Sequence, residues 1–376
     1  MRSNSFSFRR ATSRLLVLSL LICIGLLYII LVTDRSTYKL WTMEDSENET
    51  MELPQQNAGS SAADDDHTTR TANPNDEIQR KRKQLLRSVC RRIERFWILG
   101  HISNFLNPKE LNYHQYLADR QKNLVFAWIP KVMSSSIFYS MIMTRPEFYQ
   151  LYPHSTTSCN DVEAFFANEE QYSKDGLSTH GINLGRYGLS NVKRLQADVK
   201  LTVLTDSFIF LIVRDPFTRL VSTFLDLSYH GVDEKITFWT GIYQEIQKYH
   251  HHEVSKSKHI TFNDFLKYIT DPMTQRNHHW TSYEELLQPC RNRFDHIAKL
   301  ETIQSDLPVI MEKISKSRAN TLMKIRCHAT KKPNIDCLYK SVEPGVMNLL
   351  IKKYRNDFLM FGYDMHRYSN LSHINC

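Results

Sequence analysis

Several signatures of common metal and nucleotide sites are missing from this chain of 376 residues. No G-x-x-x-x-G-K-[ST] stretch occurs, which argues against a nucleoside-triphosphatase with a magnesium site. No C-x-x-C pair occurs and the histidine run 250–252 stands alone in a polar stretch, so we expect no metal. No internal repeat is visible, and the sequence therefore gives no sign of a repeat architecture.

Acidic residues are outnumbered, because 48 Lys and Arg stand against 40 Asp and Glu, a net charge of +8. Such an excess is typical of proteins that bind an anionic substrate, a nucleic acid or an acidic polymer, and it does not choose among them. Hydrophobic residues make up 41% of the chain, enough to bury at least one sizeable core.

Residues 15–32 (LLVLSLLICIGLLYIILV) form one long uncharged run. At about 1.5 Å per residue the run reaches roughly 27 Å, close to the hydrocarbon thickness of a bilayer, so it predicts a transmembrane helix. Four arginines precede it, which predicts that the tail 1–14 is cytoplasmic and that the rest of the chain is lumenal. A cleaved signal peptide is the alternative, although the run is long for one and no A-x-A-like site follows it.

Residues 33–78 follow as a polar segment that includes the acidic run 64–66. Such a composition cannot bury enough apolar surface to offset its ordering entropy, so we expect a flexible stem. The lumenal domain is predicted to span residues 79–376 and to open with an amphipathic helix, Gln79–Leu99, that carries many basic residues. These basic residues form either a solvated face or a docking surface for a polyanion.

The cysteines are interpreted through this topology. Cys23 lies in the predicted span, which leaves six cysteines in an oxidising compartment. The six permit 15 full pairings, among which the sequence does not choose. They are Cys90, Cys159, Cys290, Cys327, Cys337 and Cys376. Sequons at Asn48 and Asn370 fit a secretory location.

The first strand-to-helix segment begins with the apolar residues 123–129 (NLVFAWI). They predict a buried strand that ends at Pro130, because proline has no N–H group to donate to a sheet. Lys131 comes next, and the serines at 134–136 open a predicted helix that runs to about Thr144. Free N–H groups at a helix start, an ammonium group and hydroxyls together predict a phosphate site of the P-loop kind, but without glycine.

A second segment of the same type begins with Ser207–Val213 (SFIFLIV), a continuous apolar strand of the kind found in parallel sheets. Arg214 follows, then Asp215 as a predicted helix cap and Pro216 at the first helical position. Ser222 lies about two turns into this helix and therefore returns to the side of Arg214, where the two predict a second phosphate site. Two such sites on neighbouring strand ends predict one ligand with two phosphates.

The two turns also carry a family resemblance. PKVMSSS (130–136) and RDPFTRLVSTF (214–224) resemble the 5′-phosphosulfate and 3′-phosphate loops of the Golgi carbohydrate sulfotransferases, which include the chondroitin 4-O-sulfotransferases (sulfotransferase family 2). Further similarities follow in order, at HW (279–280), PC (289–290), FDHIAKLET (294–302) and YRNDFLMFGY (354–363). The resemblance covers about residues 123–363.

This resemblance implies an α/β fold with a parallel sheet flanked by helices, and 3′-phosphoadenylyl sulfate (PAPS) as the sulfate donor. Lys131 would contact the bridging oxygen and the 5′-phosphate, together with Ser134 and Ser135, while Arg214 and Ser222 would hold the 3′-phosphate. It further implies in-line sulfuryl transfer to a sugar hydroxyl, a glycan acceptor such as chondroitin on a proteoglycan, no nucleic acid, and a type II location in the Golgi membrane. The implied donor-binding residues are Pro130, Lys131, Val132, Met133, Ser134, Ser135, Ser136, Arg214, Asp215, Pro216, Phe217, Thr218, Arg219, Leu220, Val221 and Ser222.

Two histidines are candidates for the general base that takes the hydroxyl proton. His180 lies between the two loops in the sequence, where related sulfotransferases carry their base. His279 adjoins Trp280, an aromatic residue that would suit a sugar platform.

Met133 and the pair 137–138 depart from the family pattern, in which a small residue, a Trp and a basic residue are usual. These departures leave a catalytically weakened relative, which binds nucleotide or glycan, as an alternative to an active enzyme. A nucleotide-dependent phosphotransferase is a third hypothesis, disfavoured by the missing glycines and by the missing metal-binding carboxylates.

Overall fold

A five-stranded sheet stands at the centre of the fold. Its strands are β1 (Tyr116–Asp119), β2 (Leu124–Ala127), β5 (Leu189–Asn191), β6 (Phe208–Val213) and β7 (His296–Lys299). They lie in the spatial order β5-β1-β2-β6-β7, in which β2, β6 and β7 run parallel and β1 runs antiparallel to both of its neighbours. Two further short strands, β3 (Ser178–Thr179) and β4 (Ile182–Asn183), pair only with each other.

The structure, a computed structural model, describes residues 74–100, 113–146, 178–179, 182–183, 185, 188–231, 237–250, 259–318, 333–368, 371 and 374–376. The predicted tail 1–14, span 15–32 and most of the stem lie outside these residues. Within them, no helix combines the length and the apolar character that crossing a bilayer requires. The sheet belongs to a compact unit made of Thr71–Phe96 and Ser103–Cys376.

The prediction of a parallel sheet is wrong for the strands on one side of β2. Only residues 120–123 connect β1 to β2, and a parallel pair needs a crossover of about a dozen residues or more. Short connections of this kind force an antiparallel hairpin. The three strands from β2 to β7 are parallel, as predicted for the strands that precede the two turns.

Helices cover both faces of the sheet and continue beyond it as a helical layer. The described helices are α1 (Pro74–Gly100), α2 (Ser134–Ile142), α3 (Ala197–Asp206), α4 (Pro216–His230), α5 (Thr237–Tyr249), α6 (Phe262–Thr270), α7 (Tyr283–Leu287), α8 (Ile303–Ile314), α9 (Ile335–Lys340) and α10 (Pro344–Phe361). The fold is therefore an α/β sandwich in which the sheet is mixed.

Side chains of the central strands alternate between two apolar layers, as strand geometry requires. Phe126, Phe210 and Ile212 pack with α2 and α8 on one face. Val125 and Leu211 pack with α1, α7 and α10 on the other. Because both faces are buried, the strands are apolar throughout, and each fully buried side chain of this size contributes about 1.5–3 kcal/mol.

Helix α1 covers the outer edge of the sheet. The side-chain amide of Gln79 accepts a hydrogen bond from Ile297 N at 2.9 Å and donates one to Ile297 O at 3.1 Å. Arg82 donates to the same carbonyl at 2.7 Å and pairs with Asp306. The unpaired backbone groups of edge strand β7 are thus satisfied by side chains, which leaves less of that edge open to another chain.

This helix begins at Pro74, five residues before the predicted start at Gln79. Proline fits the first helical turn, and Asp76 and Glu77 complement the positive end of the helix dipole. The other strand and helix predictions around the two turns are confirmed to within a few residues. Local signals set those boundaries, since Asp215 caps α4 by accepting a hydrogen bond from Thr218 N at 2.8 Å.

Two disulfides link distant parts of the described chain. Cys90 of α1 is bonded to Cys290 in the segment before β7, and Cys337 of α9 is bonded to Cys376. Cys23, Cys159 and Cys327 lie outside the described residues. Disulfides persist in oxidising compartments, so these two fit the secretory environment that the sequence predicts.

Candidate functional site

The turns after β2 and β6 meet at one edge of the sheet. The two strands pair in parallel, with Ala127 opposite Leu211, so the residues that follow them emerge side by side. Arg214 Nη1 lies 3.4 Å from the carbonyl oxygen of Lys131. The sequence prediction that both turns belong to one surface is therefore confirmed.

The turn after β2 contains no glycine, yet two of its residues have a left-handed backbone conformation. Lys131 and Met133 have φ angles of 70° and 65°, in the region that residues with a side chain usually avoid. Left-handed residues occur in the turns, called nests, whose N–H groups bind anions in P-loops, so this turn is a candidate anion site. Met133 also occupies the N-cap of α2 and supplies no capping side-chain oxygen.

Apolar contacts hold this turn in its conformation. Val132 is fully buried beneath the sheet edge. Met133 packs against the apolar core, so its long side chain is directed to the interior instead of crowding the concavity. Ile137 and Phe138 are also fully buried. The departures at 133, 137 and 138 from the resembled pattern are thus accommodated by the core.

The three serines occupy the first turn of α2 with different exposure. Ser134 and Ser136 are buried, and Ser135 is half-buried. The carbonyl of Ser136 accepts a hydrogen bond from Ser140 Oγ at 2.8 Å. The helix N-terminus therefore combines a positive dipole end with hydroxyl groups beside Lys131, as the sequence predicts.

The turn after β6 is held by hydrogen bonds with three distant residues, one of which is supported by a fourth. Asp215 N donates to Glu301 Oε1 at 2.8 Å, and Tyr363 Oη donates to the other oxygen of that carboxylate at 2.8 Å. Tyr283 Oη donates to Arg214 O at 2.7 Å and also accepts from Arg214 N at 3.2 Å. Tyr368 Oη donates to Asp215 Oδ1 at 2.8 Å.

These contacts give a physical role to two sequence motifs far from the turns. Glu301 is the second-to-last residue of FDHIAKLET, and Tyr363 is the last residue of YRNDFLMFGY. Asp357 of the second motif accepts hydrogen bonds from Tyr283 N and Glu284 N, at 2.7 and 3.0 Å. Both motifs therefore orient the Arg214 turn through its backbone.

Arg219 is fully buried and joins three segments. Its guanidinium donates to the carbonyl of Pro130 at 3.2 Å, of Thr281 at 2.9 Å and of His278 at 2.7 Å. It also lies over the ring of Tyr283, 5.0 Å from the centroid. Arg219 thus ties α4 to the turn after β2 and to residues 278–281.

The other residues of the second loop that were predicted to bind the donor differ in how far they are exposed to solvent. Phe217, Leu220 and Val221 lie in the helical core, with Phe217 stacked on Tyr339 at 5.0 Å. Thr218 and Ser222 are half-buried, and Pro216 is buried at the start of α4. The core residues set the position of the helix, while Arg214, Thr218 and Ser222 retain exposed surface.

The Lys131 ammonium forms an ion pair with the carboxylate of Asp226 on α4 and lies 5.2 Å from the centre of the Trp239 ring. Burial lowers the pKa of Lys131 to about 8, and the charge of Arg219 adds to this shift. Asp226 opposes both effects because it favours the charged amine. The sequence did not indicate Asp226 or Trp239, which reach Lys131 only through the packing of α4 and α5.

Two adjacent histidines stand next to this ion pair. The His279 ring lies 4.7 Å from Trp239, and its Nδ1 is 2.8 Å from the side-chain oxygen of Asn277. The His278 ring lies 4.3 Å from that of His279. Burial, with the charges of Arg219 and Lys131, lowers the pKa of His278 to about 4, so this imidazole is neutral at pH 7.

The structure thus places His279 at the predicted site, and it adds His278 as a second candidate base there, one that the sequence did not indicate. His180 lies outside the described residues. Trp280 was predicted as a sugar platform, and this is wrong, because the ring is buried against Phe265 and Tyr268. Phe238, 46% exposed and 5.5 Å from the His279 ring, is the accessible aromatic neighbour.

Among the described residues, no group of His, Cys, Asp and Glu is arranged to hold a metal.

Residues 114–364 match the model of the sulfotransferase family, and this range contains both turns and the motifs that support them. The chain belongs to the sulfotransferase family. This sulfotransferase is 24% identical over 300 residues to carbohydrate sulfotransferase 10 of Gallus gallus, across 76% of this chain and 75% of the chicken protein. It is 25% identical over 283 residues to carbohydrate sulfotransferase 11 of Mus musculus, across 71% of each chain. No solved structure matches it.

We expect Arg219→Met to destabilise this sulfotransferase by about 3–5 kcal/mol, because three buried carbonyls lose a charged donor. Urea unfolding monitored by fluorescence measures the loss. Arg276→Met is the matched control, since Arg276 is 86% exposed and its ion pair with Glu285 contributes about 1 kcal/mol or less. Equal stability of the two variants would show that Arg219 does not hold the turns together.

Proposed function

We propose that this protein transfers a sulfuryl group from 3′-phosphoadenylyl sulfate to a hydroxyl of a carbohydrate, an acidic glycosaminoglycan such as chondroitin. The observation that carries the proposal is the contact between the two turns, where the Lys131 loop and the Arg214 guanidinium share one edge of the sheet. A nucleotide with phosphates at both the 5′ and the 3′ positions matches two such sites. The two relatives, both carbohydrate sulfotransferases by name, support a carbohydrate acceptor.

The residues present fit the donor's charge. The left-handed positions at 131 and 133, the N-terminus of α2 and the Lys131 ammonium make one cationic concavity. Arg214, which precedes α4, and the half-buried Ser222 of α4 make the other. We assign the 5′-phosphosulfate end to the first and the 3′-phosphate to the second.

The donor supplies the activated sulfuryl group, and the protein positions it and stabilises charge. Lys131 is placed to stabilise the negative charge that develops on the leaving phosphate, in surroundings that exclude much of the solvent. Fixed placement of the acceptor hydroxyl supplies the rest of the rate acceleration. The exposed face of Phe238 beside His279 offers an apolar platform for a sugar ring.

A neutral imidazole beside Lys131 suits the task of accepting the hydroxyl proton. His278 is neutral at pH 7, chiefly because burial lowers its pKa and to a lesser extent because of the charges of Arg219 and Lys131. An anionic nucleotide next to Lys131 would offset only the contribution of those two charges. His279 shares the location, and His180 remains a prediction from the sequence.

We also propose that residues 15–32 anchor the protein in the Golgi membrane with the catalytic domain in the lumen. The two disulfides support an oxidising compartment. Protease digestion of intact vesicles from expressing cells is expected to leave the domain protected and to degrade it only after detergent is added. Digestion without detergent would contradict the lumenal orientation.

Lys131→Ala is expected to lower sulfuryl transfer at least about 100-fold, the effect of removing one preorganised charge-stabilising group. The assay supplies labelled sulfate donor with a panel of desulfated glycans, and disaccharide analysis identifies the product. Lys352→Ala, at an exposed lysine of α10, is the control with the same charge change. Near-normal turnover of Lys131→Ala, or phosphate transfer from ATP instead of sulfuryl transfer, would refute the proposal.

The lowered pKa of Lys131 predicts how donor binding depends on pH. An anion binds the ammonium form, so the affinity for adenosine 3′,5′-bisphosphate is expected to be level near pH 7 and to fall by up to about tenfold per pH unit above about 8. Calorimetric titration across this range measures the fall. Lys131→Arg keeps its charge and is expected to lose the pH dependence. The same fall in both proteins would assign the titration to another group.

A further inference from the structure

A large cleft lies between α1 and the starts of β6 and β7, away from the two turns. Its volume is about 900 Å³, and its floor includes Phe208, Val309 and the Cys90–Cys290 disulfide. Phe208 begins β6, whereas Arg214 follows the other end of the same strand. Six residues at about 3.3 Å each put the cleft roughly 20 Å from the Arg214 turn.

One wall of the cleft is a row of cations on α1. Arg80, Lys83, Arg87 and Arg91 all line it. They recur at intervals of three or four residues and so share one face of the helix, with a charge roughly every turn over about 16 Å. A row of this length matches a polymer with repeated negative charges, whereas a small free anion would meet only one or two of the cations.

The acidic residues near the row do not neutralise it. Asp295 lines the cleft, but its carboxylate is bonded to the Arg293 guanidinium at 2.7 Å and accepts from Ile209 N at 2.8 Å. Asp76 lies in the first turn of α1, at the end of the row. His296 is bonded to Asp306 in the buried network beneath the cleft. The wall therefore keeps an excess of positive charge.

We propose that this cleft binds a remote segment of the anionic polysaccharide whose hydroxyl is presented at the Lys131 site. The proposal rests on the proposed function for the identity of the acceptor. A polysaccharide is favoured over a nucleic acid because the cleft is built in part by a disulfide, which belongs to oxidising compartments. It is favoured over a membrane surface because the cations line a concavity.

This arrangement separates long acceptors from short ones. A chain that occupies both sites must span roughly 20 Å, so a polymer gains affinity from the cleft and a short oligosaccharide does not. The cleft therefore selects acceptors by length and by charge, while the turns alone determine donor binding.

The test compares two variants of the full-length protein with equal charge change. Arg80→Glu/Arg91→Glu reverses two charges in the cleft, and Arg92→Glu/Lys352→Glu reverses two exposed charges that do not line it. Binding to immobilised chondroitin sulfate, to RNA and to phosphatidylserine vesicles is measured at low and at physiological ionic strength. KM for the polymer, KM for a disaccharide and the affinity for adenosine 3′,5′-bisphosphate are measured in parallel.

The cleft variant is expected to bind the polymer about tenfold or more weakly and to raise its KM for the polymer. Its disaccharide KM and its nucleotide affinity stay at the control value. Equal polymer binding by both variants overturns the proposal, as does a loss confined to RNA or to phosphatidylserine vesicles. Polymer binding through the cleft without sulfuryl transfer to any glycan keeps this inference and refutes the proposed function instead.

Discussion

The site depends on one buried guanidinium. Arg219 donates to carbonyls of Pro130, His278 and Thr281, which lie in irregular segments where no sheet or helix partner satisfies them. Because the group is 1% exposed, water does not replace it, and loss of the contacts would leave buried acceptors unpaired. The position of Lys131, the next residue after Pro130, is therefore fixed from α4. The same guanidinium also holds the segment 278–281, which carries the histidine pair.

A second set of polar contacts performs the same task for Arg214. Glu301, Tyr283 and Tyr363 all lie far from it in sequence and fix the backbone of its turn. Asp357 accepts a hydrogen bond from the backbone N–H of Tyr283, and burial raises the pKa of Asp357 to about 7. The two cationic side chains thus rest on backbone that is oriented before a ligand arrives, which is the condition for effective charge stabilisation. These contacts explain how motifs near the end of the chain orient a site that lies near its middle.

Local chemistry made the two strand–turn–helix segments readable from sequence. Pro130 and the Asp215–Pro216 pair set boundaries through their own backbone preferences, and the apolar runs before them fit strands buried on both faces. The antiparallel side of the sheet was missed because its strands have only three or four residues. Asp226 and His278 were missed for another reason: their relation to Lys131 comes from helix packing, which no spacing rule encodes. Trp280 is an error of the opposite kind. The sequence suggested an accessible ring, but packing against Phe265 and Tyr268 buries it.

The turns and the cationic cleft lie at opposite ends of the same strands, so one sheet positions both a nucleotide site and a surface for a long anion. The central claim is that each turn grips a different phosphate of one nucleotide. It is tested most directly by titrating adenosine 3′-monophosphate and adenosine 5′-monophosphate into the wild type, Lys131→Ala and Arg214→Ala. The account predicts that Lys131→Ala weakens only the 5′-monophosphate and that Arg214→Ala weakens only the 3′-monophosphate. Equal effects of both substitutions on both nucleotides, or no effect of either, would contradict it.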